Sequence, residues 1–297
     1  MYQLFSFQCS KVAYAALALF IASTDIVFAS PFQKFEDTSR IVSIGGSITE
    51  IIYALGAEEL LVARDQTSTY PEEATALADV GYMRRLSPEG VLSVNPSGIL
   101  MLEGSGPQET IDVLNRASVP IVTVPDAHSA ESVIQKIEIV GQALGLDQEA
   151  RKLADSVAKN LNAVQKLIEN KKERKRVLFI LSAQGGRINA AGKGTAADGI
   201  IRLSGGVNAI DAFEGYKQLT DEAIDKAAPD VILTMNIGAD SVLNEDLLKN
   251  PALAHTPAGR NNKIIQMNSL YLLGFGPRTG AASRELAQKL YGTGDEK

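Results

Sequence analysis

The chain has 297 residues, 45% hydrophobic and 22% charged, with 25 Gly and 11 Pro. That profile excludes a disordered or collagen-like polymer and allows one or two folded domains. The formal charge of −6, from 29 basic and 35 acidic residues, argues against a nucleic-acid partner. One Cys and two His (His128 and His255) exclude internal disulfides, thiolate metal sites and a His-rich metal site.

The first feature is an uncharged run from Val12 to Thr24, directly behind Lys11. It is shorter than the roughly 20 residues a spanning helix needs. Val27-Phe28-Ala29 then offers residue types that a signal peptidase accepts, so residues 1–29 read as a signal peptide cleaved near Ala29. Cys9 precedes the apolar run, the wrong side for a lipid anchor. An exported, soluble protein is expected.

From Arg40 short β-rich runs alternate with helical stretches: a strand at Ile41 to Ile44, a helix from Ile48 to Leu55 stopped by Gly56, and a strand at Gly98 to Leu102. A helix at Gln108 to Ala117 and a strand at Pro120 to Val124 follow. Strands separated by helices imply parallel sheets in an α/β fold. No Pro or Gly occurs between Leu146 and Gln184, where Leu153, Val157, Leu161, Val164 and Ile168 share one helical face. A helix from Asp147 to Lys172 would be roughly 39 Å long. The basic run Lys171 to Arg176 reads as its solvated C-terminal end. Val177 to Leu181 starts a new strand.

An internal echo follows. LSPEGVLSVNPSGIL (Leu86 to Leu100) and LTDEAIDKAAPDVIL (Leu219 to Leu233) align without a gap, each shortly after a Gly-Tyr pair, Gly81-Tyr82 and Gly215-Tyr216. The expected architecture is two similar α/β lobes, 30–145 and 176–297, with central parallel sheets. One long helix in 146–175 joins them, and the ligand cleft lies between.

Enzyme signatures fail on spacing. GGRINAAGKG (Gly185 to Gly194) has one residue too many for a phosphate loop and lacks the hydroxyl residue after Lys193. Gly45-Gly46-Ser47-Ile48-Thr49 resembles a hydrolase elbow, but Thr49 stands where the second Gly belongs, and Ser47 is expected to cap the following helix. No nucleophile–base pair is apparent.

GYMRRLSPEG (Gly81 to Gly90) is more informative. Ser87-Pro88-Glu89 reads as N-cap, first helical residue and first-turn acid, which puts Tyr82 in a loop on the cleft rim. Arg84 and Arg85 stand beside it. A cation near a phenol favours the phenolate, a hard donor suited to ferric iron and an attested axial ligand of haem. A surface Tyr with a solvated Arg is the alternative.

From Arg40 onward the chain resembles the periplasmic haem-binding proteins of bacterial haem ABC importers, in the structural group that also holds cobalamin- and siderophore-binding proteins. The resemblance rests on Arg40 to Ala74 (RIVSIGGSITEIIYALGAEELLVARDQTSTYPEEA), GYMRRLSPEG, MLEGSGP (Met101 to Pro107), GYKQLTDEAI (Gly215 to Ile224) and LLGFGPRT (Leu272 to Thr279). The Gly-Tyr-x-Arg-x-Leu-Ser string is its most specific part. It implies a carrier, not an enzyme, whose ligand is haem b (ferric protoporphyrin IX). Tyr82 would be the axial ligand of its iron and Arg84 the hydrogen-bond donor to the phenolate. Neither His lies near the Ser182 to Gly186 turn, where a second ligand is expected, so one five-coordinate haem is expected. Arg85 and Arg278 are candidates for the propionates, and Tyr216, Tyr271 and Phe275 for the walls. The resemblance also implies that Glu89 and Glu222, one per lobe at matched positions, dock on an inner-membrane ABC permease, which works with its ATPase and, indirectly, an outer-membrane haem receptor. A first-turn acid also complements the helix dipole, and both roles are compatible. Cobalamin or a ferric siderophore is the alternative cargo, against which the lack of Trp and the Tyr82–Arg84 pair argue. An exported enzyme is the reading from a different class.

Overall fold

The computed structural model describes residues 34–236 and 247–292. The expected signal peptide (1–29) and its cleavage site lie outside the described residues, as do 30–33, 237–246 and 293–297.

The first sheet contains β1 (Ile41–Ile44), β2 (Leu61–Arg64), β3 (Ala78–Asp79), β4 (Gly98–Leu102) and β5 (Ile121–Val124). Their order is β3-β2-β1-β4-β5 and all pairings are parallel. β1 and β4 are buried at every position, as strands covered on both faces must be. Helices α1 (Gly46–Ala54), α2 (Pro88–Leu92) and α3 (Gln108–Arg116) lie between the strands in sequence. The chain builds outward from β1 to β3, then returns to add β4 and β5 on the other side. The order therefore reverses between β1 and β4, the point at which open α/β sheets generally take their ligands.

Helix α1 starts earlier than its apolar pattern indicates, and Ser47 does not cap it. Gly45 holds the N-cap position without a side-chain cap, and Ser47 is buried in the first turn, where it accepts from Lys136 Nζ at 3.3 Å. The free amides at this helix start are met from across the fold. Gly45 N–H donates to Asp65 Oδ1 and Gly46 N–H to Thr67 Oγ1, both at 2.9 Å.

Helix α4 (Ala130–Leu144) opens with a reciprocal Ser129–Ser132 capping box and runs, through Gly145 and Leu146, into α5 (Asp147–Ile168). The buried face of α5 is Ala150, Ala154, Val157, Leu161, Val164 and Ile168; Leu153 is only half-buried. The helix stops short of Lys172. Beyond Ile168 no apolar side chain is available until Val177, and a turn without a buried face gains little from packing. One side of α5 packs on α4, the other on α11 (Thr279–Tyr291), so both halves of the chain rest on it.

The second sheet contains β6 (Arg176–Gln184), β7 (Arg187–Ala191), β8 (Val207–Asn208), β9 (Tyr216–Leu219), β10 (Val231–Asn236) and β11 (Ile264–Asn268). Its order is β11-β10-β6-β7-β9, with β8 beside the start of β6. Around it lie α6 (Ala196–Leu203), α7 (Asp221–Ala227), α8 (Pro251–Ala254), α9 (Pro257–Arg260) and α10 (Ser269–Leu273). This sheet corrects the expectation of two parallel sheets, because β7 runs antiparallel to both β6 and β9. The cause is local. Gly185 and Gly186, at φ 59° and 75°, form the two-residue turn that joins β6 to β7, a backbone that favours glycine at both positions. The segment that resembles a phosphate loop is thus a hairpin. The described chain is a bilobed α/β protein.

Candidate functional site

The loop after β3 carries the Tyr82 string. Met83 and Leu86 are buried at 5% and 4% exposure, whereas Tyr82 is half-buried and Arg84 and Arg85 are exposed. Two apolar anchors therefore hold the loop down and turn Tyr82 and Arg84 outward together. The backbone fixes it further. Arg85 N–H donates to the Tyr82 carbonyl at 2.7 Å, Gly106 N–H to the Met83 carbonyl at 2.9 Å, and Leu86 N–H to the Gly106 carbonyl at 2.9 Å. These bonds draw the loop across the sheet to the segment after β4. On this frame Arg84 Nη1 donates to Tyr82 Oη at 3.1 Å, and the Arg85 guanidinium sits 5.8 Å from the centre of the Tyr82 ring.

Tyr216, at the start of β9 in the second lobe, lies near enough to Arg84 for its phenol to feel that charge. It is 42% exposed. Burial of its phenol pushes it above the ordinary tyrosine value, against the opposing influence of the Thr195 side chain, the Arg84 charge and the Ala197 backbone. The neutral phenol is therefore favoured there. The Gly-Tyr echo is positional rather than conformational: Tyr82 lies in a turn, whereas Tyr216 lies in a strand.

The loop after β5 supplies groups that sequence reasoning missed. Lys136, fully buried in α4, pairs with Asp126 at 3.1 Å, and His128 Nε2 lies 3.7 Å from the same carboxylate. Burial alone would raise Asp126, but His128 and Lys136 outweigh it and hold the carboxyl below its ordinary range. Burial pushes Lys136 down, with Asp126 opposing. A Lys inside an amphipathic helix reads as a surface residue, so no sequence signal marks it. The His128 ring packs edge-on against Phe275 at 5.1 Å. Phe275 is only 2% exposed, which corrects its expected place as a ligand wall: its ring is enclosed in the seam between the lobes.

Arg278 and Tyr271 line a separate cavity of about 340 Å³ with Thr69, Tyr70 and Asn268. Arg278 does not offer a free charge to a propionate. Its guanidinium pairs with Glu50 Oε2 at 2.9 Å and lies 3.4 Å from the centre of the Tyr70 ring. Arg85 forms no ion pair among the described residues and keeps its charge available. Burial pushes the Tyr271 phenol up, with Glu285 reinforcing and Arg278 opposing.

Glu89 and Glu222 each occupy the second position of a short helix whose N-cap hydroxyl is bonded. Ser87 Oγ accepts from Gly90 N–H at 3.0 Å, and Thr220 Oγ1 accepts from Ala223 N–H at 3.2 Å. Both acids are exposed and form no ion pair among the described residues. Nor does any group of three or more His, Cys, Asp or Glu suited to a metal ion occur among those residues.

A bilobed α/β scaffold with one fully parallel sheet and one mixed sheet is the architecture of periplasmic binding proteins. Residues 41–271 match the periplasmic binding protein family, and the chain belongs to that family. The chain is 30% identical, over 86% of its length and 81% of the relative's, to an uncharacterized ABC transporter substrate-binding lipoprotein, YvrC, of Bacillus subtilis. Among solved structures it is similar to the periplasmic heme-binding protein RhuT from Roseiflexus sp. RS-1 in apo form (41% identity, 86% of this chain and 98% of that one, TM-score 0.82). It is also similar to the periplasmic heme-binding protein BhuT in complex with two hemes (38% identity, 84% and 97%, TM-score 0.81).

Proposed function

We propose that this protein is the substrate-binding component of an ABC importer that carries haem b through the periplasm. It acts as a carrier and performs no chemistry on its cargo. The observation that carries the proposal is the Tyr82–Arg84 pair, held outward on the cleft rim by a pinned loop. Two periplasmic heme-binding proteins of 41% and 38% identity share the fold over nearly their whole length.

In this reading Tyr82 Oη is the axial ligand of ferric iron, and Arg84 stabilises the phenolate by donating a charged hydrogen bond. Arg85 meets a propionate at the rim, while the Tyr216 ring forms part of the opposite wall. Tyr216 serves as a wall rather than as a second iron ligand, and the cargo is one five-coordinate haem. Arg278 is removed from the propionate set by its pairing with Glu50.

Glu89 and Glu222 dock the two lobes on the permease, where charge complementarity sets orientation and on-rate. The permease's ATPase drives import, and an outer-membrane receptor supplies the haem. Residues 1–29 are a signal peptide cleaved near Ala29. Residues 30–145 and 176–297 form the two lobes, joined by 146–175.

The test is the visible spectrum after mixing with ferric haem. High-spin tyrosinate bands at one haem per chain are expected in the wild type, and their loss in Tyr82→Phe. Wild-type protein without such bands overturns the reading, and a retained spectrum in Tyr82→Phe moves the ligand to another residue.

A further inference from the structure

We propose that Glu50 and Arg278 form a latch between the lobes that fixes the width of the cleft. Glu50 lies in α1 of the first lobe and is 5% exposed. Arg278, 228 positions later, stands at the start of α11 in the second lobe. The contact is double: the Arg278 backbone N–H donates to Glu50 Oε1 at 3.1 Å, and Nη2 donates to Oε2 at 2.9 Å. The guanidinium is also stacked on Tyr70 of the first lobe at 3.4 Å, with Tyr271 of its own lobe at 5.2 Å. One side chain of the second lobe is thus gripped by a carboxylate and an aromatic face of the first.

The geometry makes this contact sensitive to opening. An ion pair withdrawn from water is held strongly only while both partners stay in register, and separating them leaves each without its partner in a poorly solvated site. The guanidinium 3.4 Å from the Tyr70 ring centre lies well inside the roughly 6 Å over which that attraction acts, and it weakens as the lobes part. Glu50 lies in the middle of α1 and Arg278 at the N-cap of α11, so both are held by helices and rotation of one lobe against the other strains the latch directly. It sits beside the cleft and does not touch the Tyr82–Arg84 pair. Glu50 and Arg278 therefore act as positioning residues: they hold Tyr216 and its lobe at the spacing that encloses the cargo. Opening by the permease must break the pair. This last consequence rests on the carrier reading, whereas the latch itself does not.

The experiment separates the two. Spin labels are placed through Asp112→Cys and Asp225→Cys, both exposed and in opposite lobes, in the chain from Ser30 onward, which has no other cysteine. Interlobe distances are then measured without haem. A narrow distribution is expected in the latched protein and a broader one in Glu50→Gln and in Arg278→Lys, which keeps the charge but loses the fork and the stacking. Haem loss should speed up about tenfold in both variants, within the usual range of coupling between sites, with an unchanged spectrum of the bound haem. Where Glu50→Gln does not fold, Arg278→Lys and Tyr70→Leu read the same contact. Distributions as narrow as the parent's in these variants overturn the latch. Failure of the parent to bind haem would overturn the carrier reading and leave the distances to decide the latch.

Discussion

Removing the Arg84 side chain tests the haem-ligand geometry most directly. In the structure Arg84 Nη1 donates to Tyr82 Oη at 3.1 Å. A hydrogen bond to a charged partner contributes about 1.5–3 kcal/mol where it is sheltered. Arg84 is exposed, and solvent screening lowers that to about 1 kcal/mol, the upper end for exposed charge pairs. Arg84→Ala should therefore weaken ferric-haem affinity about fivefold, while Tyr82 continues to ligate and the tyrosinate bands persist with a small shift. Arg84→Lys keeps a cation but loses the planar fork, so it should recover part of the loss. Spectrophotometric titration with haem, paired with dissociation into an acceptor protein, measures both. Affinity within twofold of wild type in Arg84→Ala, with Tyr82→Phe abolishing the bands, would show that the pairing contributes nothing to binding.

Four further outcomes are expected. Asp65 accepts from the backbone N–H groups of Gly45 and Thr67 and from the hydroxyls of Thr67 and Ser68; Asp65→Ala orphans at least the buried Gly45 amide and should cost about 1–3 kcal/mol in urea unfolding, so unaltered stability refutes the account. At Gly199 an added Cβ would lie 2.5 Å from the His128 carbonyl oxygen and 2.9 Å from Phe275 Cζ; Gly199→Ala should destabilise by about 1–3 kcal/mol, and unaltered stability would mean that the seam yields freely. The folded Asp126 carboxyl lies below its ordinary value of 3.8, so its stabilisation is complete above that pH and disappears as pH falls through the lowered value; Asp126→Asn should flatten the acid limb of the stability profile, and an unchanged limb counts against the cluster. Glu89→Ala combined with Glu222→Ala should leave haem binding intact and depress uptake in vesicles containing the permease; full uptake would remove the docking role.

The strands β1, β4 and β5 and the helices α1, α3 and α5 were legible within a few residues, because apolar period and turn residues report burial on one or both faces. The ends were less legible. The start of α1 depends on donors being met by Asp65 and Thr67, roughly twenty positions away, and the end of α5 depends on where its neighbours stop. The Gly185-Gly186 pair was visible, but its local pattern suited two loops, and only pairing with β6 and β7 makes it a hairpin.

The same division runs through the site. Sequence alone placed Tyr82 and Arg84 two residues apart before a capped helix, since the determinants of that loop are local: a buried Met83, a buried Leu86 and the Ser87-Pro88 start. It also placed matching acids at two helix starts. Only the tertiary structure put Lys136 beneath Asp126, enclosed Phe275 in the seam and engaged Arg278 with Glu50. A side chain's spacing along the chain is set by its neighbours in sequence, whereas its exposure and the identity of its partner are set by whatever the fold brings beside it, ten residues away for Asp126 and Lys136 and 228 for Glu50 and Arg278.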